Sequence, residues 1–224
     1  MRVSLIIPAL NEAECLGPLL TEVPFEAPHQ VIVVDNGSSD NTAEVARSGG
    51  AMVIDEPRRG YGFACAAGLA AADGDVVVFM DGDGSFVPAE LTSLLSPLTE
   101  GHADLVLGSR WLMDPEQTVM PTHQRFGNNL FVWLLRRRFG LTLTDLGPYR
   151  AIRRELLLEL EMQEYTYGWP LEMIIKTARL RKSIVELPVT YRPRFAGQSK
   201  VGGTLRGSIL SGYRFFSVMV RYAF

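Results

Sequence analysis

Five short apolar runs, at residues 3–8, 31–35, 51–54, 76–81 and 104–108, constrain this chain more than any other feature. Each is rich in Val, Ile and Leu, is too short for a stable helix, and lacks the alternation of a strand with one wet face. Unbroken runs of that length read as strands buried on both faces, the mark of a parallel sheet. Between them lie helix-length segments at 11–22, 41–47, 61–72 and 88–98, with Asn41-Thr42 and Pro88 as start signals. The alternation predicts an α/β fold, a mostly parallel central sheet flanked by crossover helices. In such a sheet, ligands bind outside the carboxyl ends of the strands. Past residue 110 the pattern changes. Residues 125–139, 152–160 and 169–180 read as helices, 183–191 as extended chain and 205–224 as a helical tail.

Charge divides the chain at the same place. Residues 1–109 carry 4 basic and 16 acidic side chains, a balance of −12, whereas residues 110–224 carry 18 and 9, a balance of +9. Such asymmetry points to a different partner for each half. With no repeat, low-complexity tract or linker, the chain reads as one domain over 1–202 and a basic amphipathic helix over 203–224. The domain divides into a half at 1–109 and a half at 110–202. The longest stretch without Asp, Glu, Lys or Arg is 13 residues, 60–72, so no transmembrane helix is expected. Met1 leads directly into the first apolar run, which leaves no room for a signal peptide. Cys15 and Cys65 are far apart in apolar surroundings and read as buried thiols of a cytoplasmic protein, and His29, His102 and His123 lack metal-ligand spacing.

Carboxylates mark two strand ends. Val31-Ile32-Val33-Val34-Asp35 runs into the polar turn Asn36-Gly37-Ser38-Ser39-Asp40, where Asp40 reads as a turn or cap residue and Asp35 as a ligand-facing one. Val76-Val77-Val78-Phe79-Met80 runs into Asp81-Gly82-Asp83-Gly84. Two aspartates leaving a buried strand together repel, and a divalent cation bridging to diphosphate oxygens relieves them. Mg²⁺ or Mn²⁺ suits carboxylate oxygens, few protein ligands and substrate phosphates, and the glycines allow close approach.

The order of Ile6-Ile7-Pro8-Ala9-Leu10-Asn11-Glu12, Val34-Asp35-Asn36-Gly37-Ser38-Ser39-Asp40-Asn41-Thr42, Arg59-Gly60-Tyr61-Gly62 and Asp81-Gly82-Asp83 resembles the family 2 glycosyltransferases with their GT-A fold. Glu186-Leu187-Pro188-Val189 followed by Arg194-Phe195-Ala196-Gly197-Gln198-Ser199-Lys200 resembles the dolichyl-phosphate mannose synthase and polyprenyl-phosphate glycosyltransferase branch. The resemblance implies that Pro8, Asn11 and Glu12 line the nucleotide pocket and that Asp35 holds the base or ribose. It implies that Arg59 and Gly60 flank the nucleotide, that Asp81 and Gly82 meet the sugar diphosphate, with Asp81 in a catalytic role, and that Asp83, with Asp81, holds the metal. Arg194 and Lys200 would clamp the donor diphosphate. Ser85 stands where the mannose synthases commonly carry a glutamine, which leaves the third metal ligand to a hydroxyl or a water.

The basic half supplies cations for an acceptor. Arg110 follows a strand directly, Arg125 and Asn129 match the spacing of acceptor-phosphate contacts in the resembling branch, and Arg150 follows Asp145. An ionised phosphate acceptor needs cations, and arginine's planar fork fits it, whereas a hydroxyl acceptor needs a general base. Asp145, aligned with the family's acceptor-site aspartate, reads as that base, as an orienting group or as a structural cap. Its surroundings, Gly147-Pro148-Tyr149-Arg150, depart from the branch's Ser-Gly-Phe-Arg. Glu172 occupies another recurrent carboxylate position, and an i, i+4 pair with Lys176 explains it equally. Arg136-Arg137-Arg138 and Arg153-Arg154 read as solvated or membrane-facing. The tail, with Arg206, Arg214 and Arg221 among apolar residues, reads either as a helix lying on an anionic membrane or as one packing on the domain or on a second copy.

The expectation is a metal-dependent, inverting hexosyltransferase using a nucleoside-diphosphate sugar, UDP-sugar ahead of GDP-mannose. Its acceptor is a polyprenyl or dolichyl phosphate at the cytoplasmic membrane face. The alternative is a hydroxyl acceptor with Asp145 as base. A sugar nucleotidyltransferase would carry a Gly-rich basic loop after the first strand, and a non-catalytic nucleotide-sugar sensor would not need both Asp81 and Asp83. Nucleic acid is not an expected partner, since the basic half carries no recognisable module for it.

Overall fold

A computed structural model describes residues 1–24, 27–113, 121–197 and 205–223. The first half alternates as the apolar runs require: β1 (Val3–Ala9), α1 (Ala13–Thr21), β2 (Gln30–Asp35), α2 (Thr42–Ser48), β3 (Met52–Asp55), α3 (Tyr61–Ala71), β4 (Val76–Phe79), α4 (Leu91–Thr99) and β5 (Leu105–Ser109). The second half contributes α5 (Thr122–Phe139), β6 (Arg150–Arg153), α6 (Arg154–Glu159), α7 (Trp169–Arg179), β7 (Ile184–Pro188) and α8 (Leu205–Ala223). Among the described residues, one sheet of seven strands runs in the order β3-β2-β1-β4-β6-β5-β7. β1 pairs in parallel with β2 and β4, β2 with β3, and β5 with β7.

β6 departs from the sequence reading. It runs antiparallel between β4 and β5, with Phe79 opposite Arg150 and Val76 opposite Arg153. The helix expected over 152–160 therefore begins only at Arg154. The physical reason is that buried β4 and β5 need backbone partners on their facing edges, and four residues satisfy both.

Side chains alternate across the sheet, which explains the unbroken apolar runs. Ile6, Ile32, Val34, Val77 and Phe79 face one layer with α3, α5 and α7. Leu5, Ile7, Val33, Val78 and Met80 face the other with α1 and α4. Each such buried aliphatic contributes about 1.5–3 kcal/mol, so both layers are needed to hold the central strands. The Gly and Ala content of α3 follows from its close seat on β1: a Cβ at Gly68 would lie 2.4 Å from Ile6 Cγ2. Cys15 and Cys65 are both buried.

α8 packs on the domain. Val218, Met219 and Ala223 are buried, and Phe215 meets Phe131 of α5 edge-on with ring centroids 5.2 Å apart. No helix among the described residues is long and apolar enough to cross a membrane.

Candidate active site

Because β1, β2 and β4 run parallel, their carboxyl ends converge on one edge. A cavity of about 720 Å³ opens there. Its inner wall is formed by Pro8, Glu12, Arg59, Gly60, Asp81, Gly82 and Asp83, with Arg110 and Arg194 closing over from the second half. Asp35 and Asn11 stand behind this wall and build the turn between β2 and α2. Asp35 Oδ1 accepts the Ser38 amide at 2.9 Å, and Asn11, held at φ 49°, accepts the Ser39 amide at 2.7 Å. Asp40 accepts the Thr42 amide at 3.0 Å, the turn role expected of it.

Asn36, which the sequence reading passed over, fixes the loop from Glu56 to Gly60. It is buried, its amide donates to the carbonyls of Glu56 and Arg58, and its Oδ1 accepts the Gly60 amide at 2.8 Å. Gly60 must be glycine, since a Cβ there would lie 2.4 Å from the Tyr165 carbonyl oxygen. Behind that loop, residues 163–166 are held by Glu172. Its carboxylate, buried on α7, accepts the amides of Gln163 and Glu164 and pairs with Lys176 at 2.8 Å. Lys176 in turn lies 4.9 Å from the ring centroid of Tyr222 on α8, and the Gly62 and Phe63 amides donate to Thr166 and Tyr165.

Asp81 and Asp83 are crowded. Burial, followed by the charge of Asp83, pushes the Asp81 carboxyl up to about 7. Asp83 Oδ1 accepts both the amide and the hydroxyl of Ser85, at 3.0 and 2.6 Å. Its Oδ2 lies 3.8 Å from Arg194 Nη1, while Arg194 Nη2 meets Glu12 Oε2 at 2.7 Å. Two hard carboxylates on one cavity wall, one of them driven toward protonation, fit a divalent cation. Among the described residues no group of three or more His, Cys, Asp and Glu side chains could hold a metal ion. The Ser85 hydroxyl is spent on Asp83, which makes it a support for that carboxylate.

The side of the cavity at Arg110 is built differently. Arg110 grips Asp145 with both ends of its fork, Nε to Oδ2 and Nη2 to Oδ1, each at 2.7 Å, and adds its backbone amide at 3.1 Å. Asp145 is 0% exposed and lies outside the cavity wall, behind Arg110. Burial alone would raise its carboxyl, but the adjacent guanidinium holds it below the usual carboxylate range.

Residues 4–160 match the family described as Glycosyl transferase family 2. The chain is a family 2 glycosyltransferase. An uncharacterized glycosyltransferase of Mycobacterium tuberculosis is 42% identical over 97% of this chain and 97% of its own length. A dolichyl-phosphate hexose transferase of Haloferax volcanii is 35% identical over 89% of this chain and 86% of its own. An undecaprenyl-phosphate mannosyltransferase of Micrococcus luteus is 35% identical over 92% and 90%. Among solved structures, glucosyl-3-phosphoglycerate synthase of Mycobacterium tuberculosis with phosphoglyceric acid superposes with a TM-score of 0.79 at 23% identity. That match covers 99% of this chain and 80% of the other. The same synthase with Mn²⁺, UDP and glucosyl-3-phosphoglycerate gives 0.77 at 24%, covering the same shares. At that identity the likeness carries the fold, which is GT-A.

Three residues of this glycosyltransferase expected at the acceptor lie elsewhere. Arg150 is 1% exposed; its guanidinium donates to the carbonyls of Leu146, Gly147 and Pro170 and braces the loop from inside. Arg125 and Asn129 sit on the outward face of α5, where Arg125 stacks 4.9 Å over Trp111. The helical period explains it. Phe131, Val132 and Leu135 set the buried face, and that face brings Asn128, one position before Asn129, against the loop at residues 144–146. Asn128 lines the cavity, donates to the Thr144 carbonyl and accepts the Leu146 amide. Lys200 lies outside the described residues. The cavity's outer end is walled by Gly212, Arg214 and Phe215 of α8, a contribution only packing reveals.

Proposed function

We propose that this glycosyltransferase is metal-dependent and inverting, moving a hexose from a nucleoside-diphosphate sugar to a polyprenyl or dolichyl phosphate at a membrane surface. The observation that carries it is the Arg110–Asp145 clasp. A carboxylate enclosed, doubly hydrogen-bonded and held ionised by arginine is a poor proton acceptor, which disfavours a hydroxyl nucleophile activated by Asp145. The cavity's carboxylates, Glu12, Asp81 and Asp83, all stand at its donor end, while Arg110 faces the acceptor end. That arrangement suits an acceptor already ionised near neutral pH. The relatives from Haloferax and Micrococcus, acting on dolichyl and undecaprenyl phosphate by name, support the acceptor class. The synthase complexed with UDP and Mn²⁺ supports UDP-sugar ahead of GDP-mannose, and a divalent ion.

In this reading Asp81 and Asp83 hold Mg²⁺ or Mn²⁺. The ion, when bound, supplies Lewis-acid stabilisation of charge on the leaving diphosphate. Asn36 and Gly60 shape the nucleotide pocket, Arg194 lies beside the diphosphate, and Arg110 orients the acceptor phosphate. The acceptor oxygen then attacks the anomeric carbon opposite the leaving group, with no proton to be removed by protein.

Two surface stripes support a membrane-facing side. Phe126, Leu130 and Trp133 on α5 are 73%, 42% and 58% exposed, and Tyr213, Phe216 and Val220 on α8 are 66%, 61% and 53% exposed. Arg125, Arg136, Arg137, Arg214 and Arg221 accompany them on the same helices. Aromatic stripes flanked by arginine suit the headgroup region of anionic lipid. We therefore treat 1–202 as the catalytic unit and α8, within 203–224, as a helix that both walls the cavity and faces lipid. The test offers polyprenyl phosphate with radiolabelled UDP-glucose or GDP-mannose and Mn²⁺. Label should pass into the lipid extract with one of them, and its absence with both overturns the acceptor.

A further inference from the structure

We propose that Glu186 is a positioning residue for the acceptor: it clasps the loop carrying Asp145 and thereby sets the guanidinium of Arg110. The inference rests on the acceptor reading above.

Glu186 lies on β7, in parallel register with Leu107 of β5, the strand that ends just before Arg110. Its side chain reaches across to the loop after α5 and receives two consecutive amides. The Thr144 amide lies 2.9 and 2.8 Å from its two oxygens, and the Asp145 amide lies 2.7 Å from Oε1. The Thr144 hydroxyl is 3.0 Å from Oε2 and 2.7 Å from the Ser109 hydroxyl, which accepts the Trp111 amide. One carboxylate thus holds residues 144 and 145 directly and, through the Thr144 and Ser109 hydroxyls, residues 109 and 111, so that both segments carrying the Arg110–Asp145 pair are tied.

The rest of the loop leaves it no slack. Gly147, at φ +36°, lies so close to β5 that a Cβ would meet the Gly108 carbonyl oxygen at 2.6 Å. Asn128 and Arg150 hold the carbonyls of Thr144, Leu146 and Gly147. Oε1 alone accepts both consecutive amides, and Oε2 accepts the Thr144 amide together with its hydroxyl. Glutamine, with its one oxygen on the amide pair, would turn an NH₂ toward the Thr144 amide and hydroxyl, setting a donor against a donor at that amide.

The experiment compares wild type with Glu186→Gln, Glu186→Asp and Thr144→Val. Glu186→Gln should raise the KM for a short-chain prenyl phosphate about tenfold or more, with the KM for donor and the affinity for UDP plus Mn²⁺ unchanged. Thr144→Val, which loses only the hydroxyl, should shift acceptor KM the same way by a smaller factor, and Glu186→Asp should recover part of the loss. Amide hydrogen exchange should quicken at residues 144–146 in Glu186→Gln and stay as in wild type at 81–85. Equal losses for donor and acceptor, or an unchanged acceptor KM, overturn the proposal. Should Glu186→Gln not fold, Thr144→Val and Glu186→Asp decide it by the same split. A wild type that transfers nothing to prenyl phosphate refutes the acceptor class instead. The exchange difference at 144–146 then still stands or falls on its own.

Discussion

The two sides of the cavity use carboxylates in opposite ways. At the donor end Asp81 and Asp83 crowd one another, and Asp81 is driven up to about 7. At the acceptor end Asp145 and Glu186 are satisfied by protein, the first by Arg110 and the second by two amides and a hydroxyl. A carboxylate left short of positive charge is built to receive a ligand, whereas one fully met by protein holds its neighbours in place. Arginine shows the same division: Arg194 bridges Glu12 and Asp83 on one cavity wall, while Arg150 donates to three carbonyls and the Met173 sulfur.

The sharpest way to break this comparison is Asp83→Ala. Transfer should fall by about a thousandfold or more, together with Mn²⁺ binding measured by calorimetry in the presence of UDP. Retained activity would place the cation elsewhere. Next comes Arg110→Met, which leaves Asp145 buried and uncompensated and should cost about 3–5 kcal/mol in urea unfolding at pH 7. Asp145's carboxyl is lowered in the folded state, so its contribution is full above the ordinary carboxylate range and is lost as pH falls through the lowered value. The gap between wild type and Arg110→Met should therefore narrow below about pH 4, and a gap independent of pH would show that the pair is not its source.

Asp145→Asn has a smaller expected effect. If Asp145 orients Arg110, acceptor KM rises about tenfold with a modest change in kcat, whereas loss of a base would collapse kcat by about a hundredfold or more. Steady-state kinetics with prenyl phosphate separates the two. The gentlest test is protonic. With Asp81 raised to about 7, its proton must leave when a cation binds. Mn²⁺ binding near pH 7 should release a fraction of a proton, seen as a buffer-dependent calorimetric heat, and should weaken as pH falls below about 7. An affinity flat from pH 6 to 8 would remove Asp81 from the ligand set.

The parallel core was legible in the sequence because strands buried on both faces cannot hide their apolar runs. β6 was not. Arg-Ala-Ile-Arg is four residues long with charged ends, and only the open edges of β4 and β5 call for it. Asp81, Asp83 and Arg194 were legible by motif, and the cavity brings them together. Arg150 was misread because an arginine near a site resembles a phosphate ligand until its carbonyl partners are seen. Asn129 was named for its spacing from Arg125, whereas the apolar period of 131, 132 and 135 carries Asn128 on the buried face. Glu186 stood in a recognised motif, but which backbone it holds depends on a loop 41 and 42 residues away.

The thread from Tyr222 through Lys176 and Glu172 to residues 163–166 ends against Gly60 and Gly62. α8 is therefore a buttress for the loop at Gly60 and Gly62 through its last turn, as well as a wall of the cavity through Gly212, Arg214 and Phe215. Trimming the chain just before Tyr222 removes that buttress, so the harm reaches the donor pocket from behind even with every residue that touches the sugar nucleotide intact.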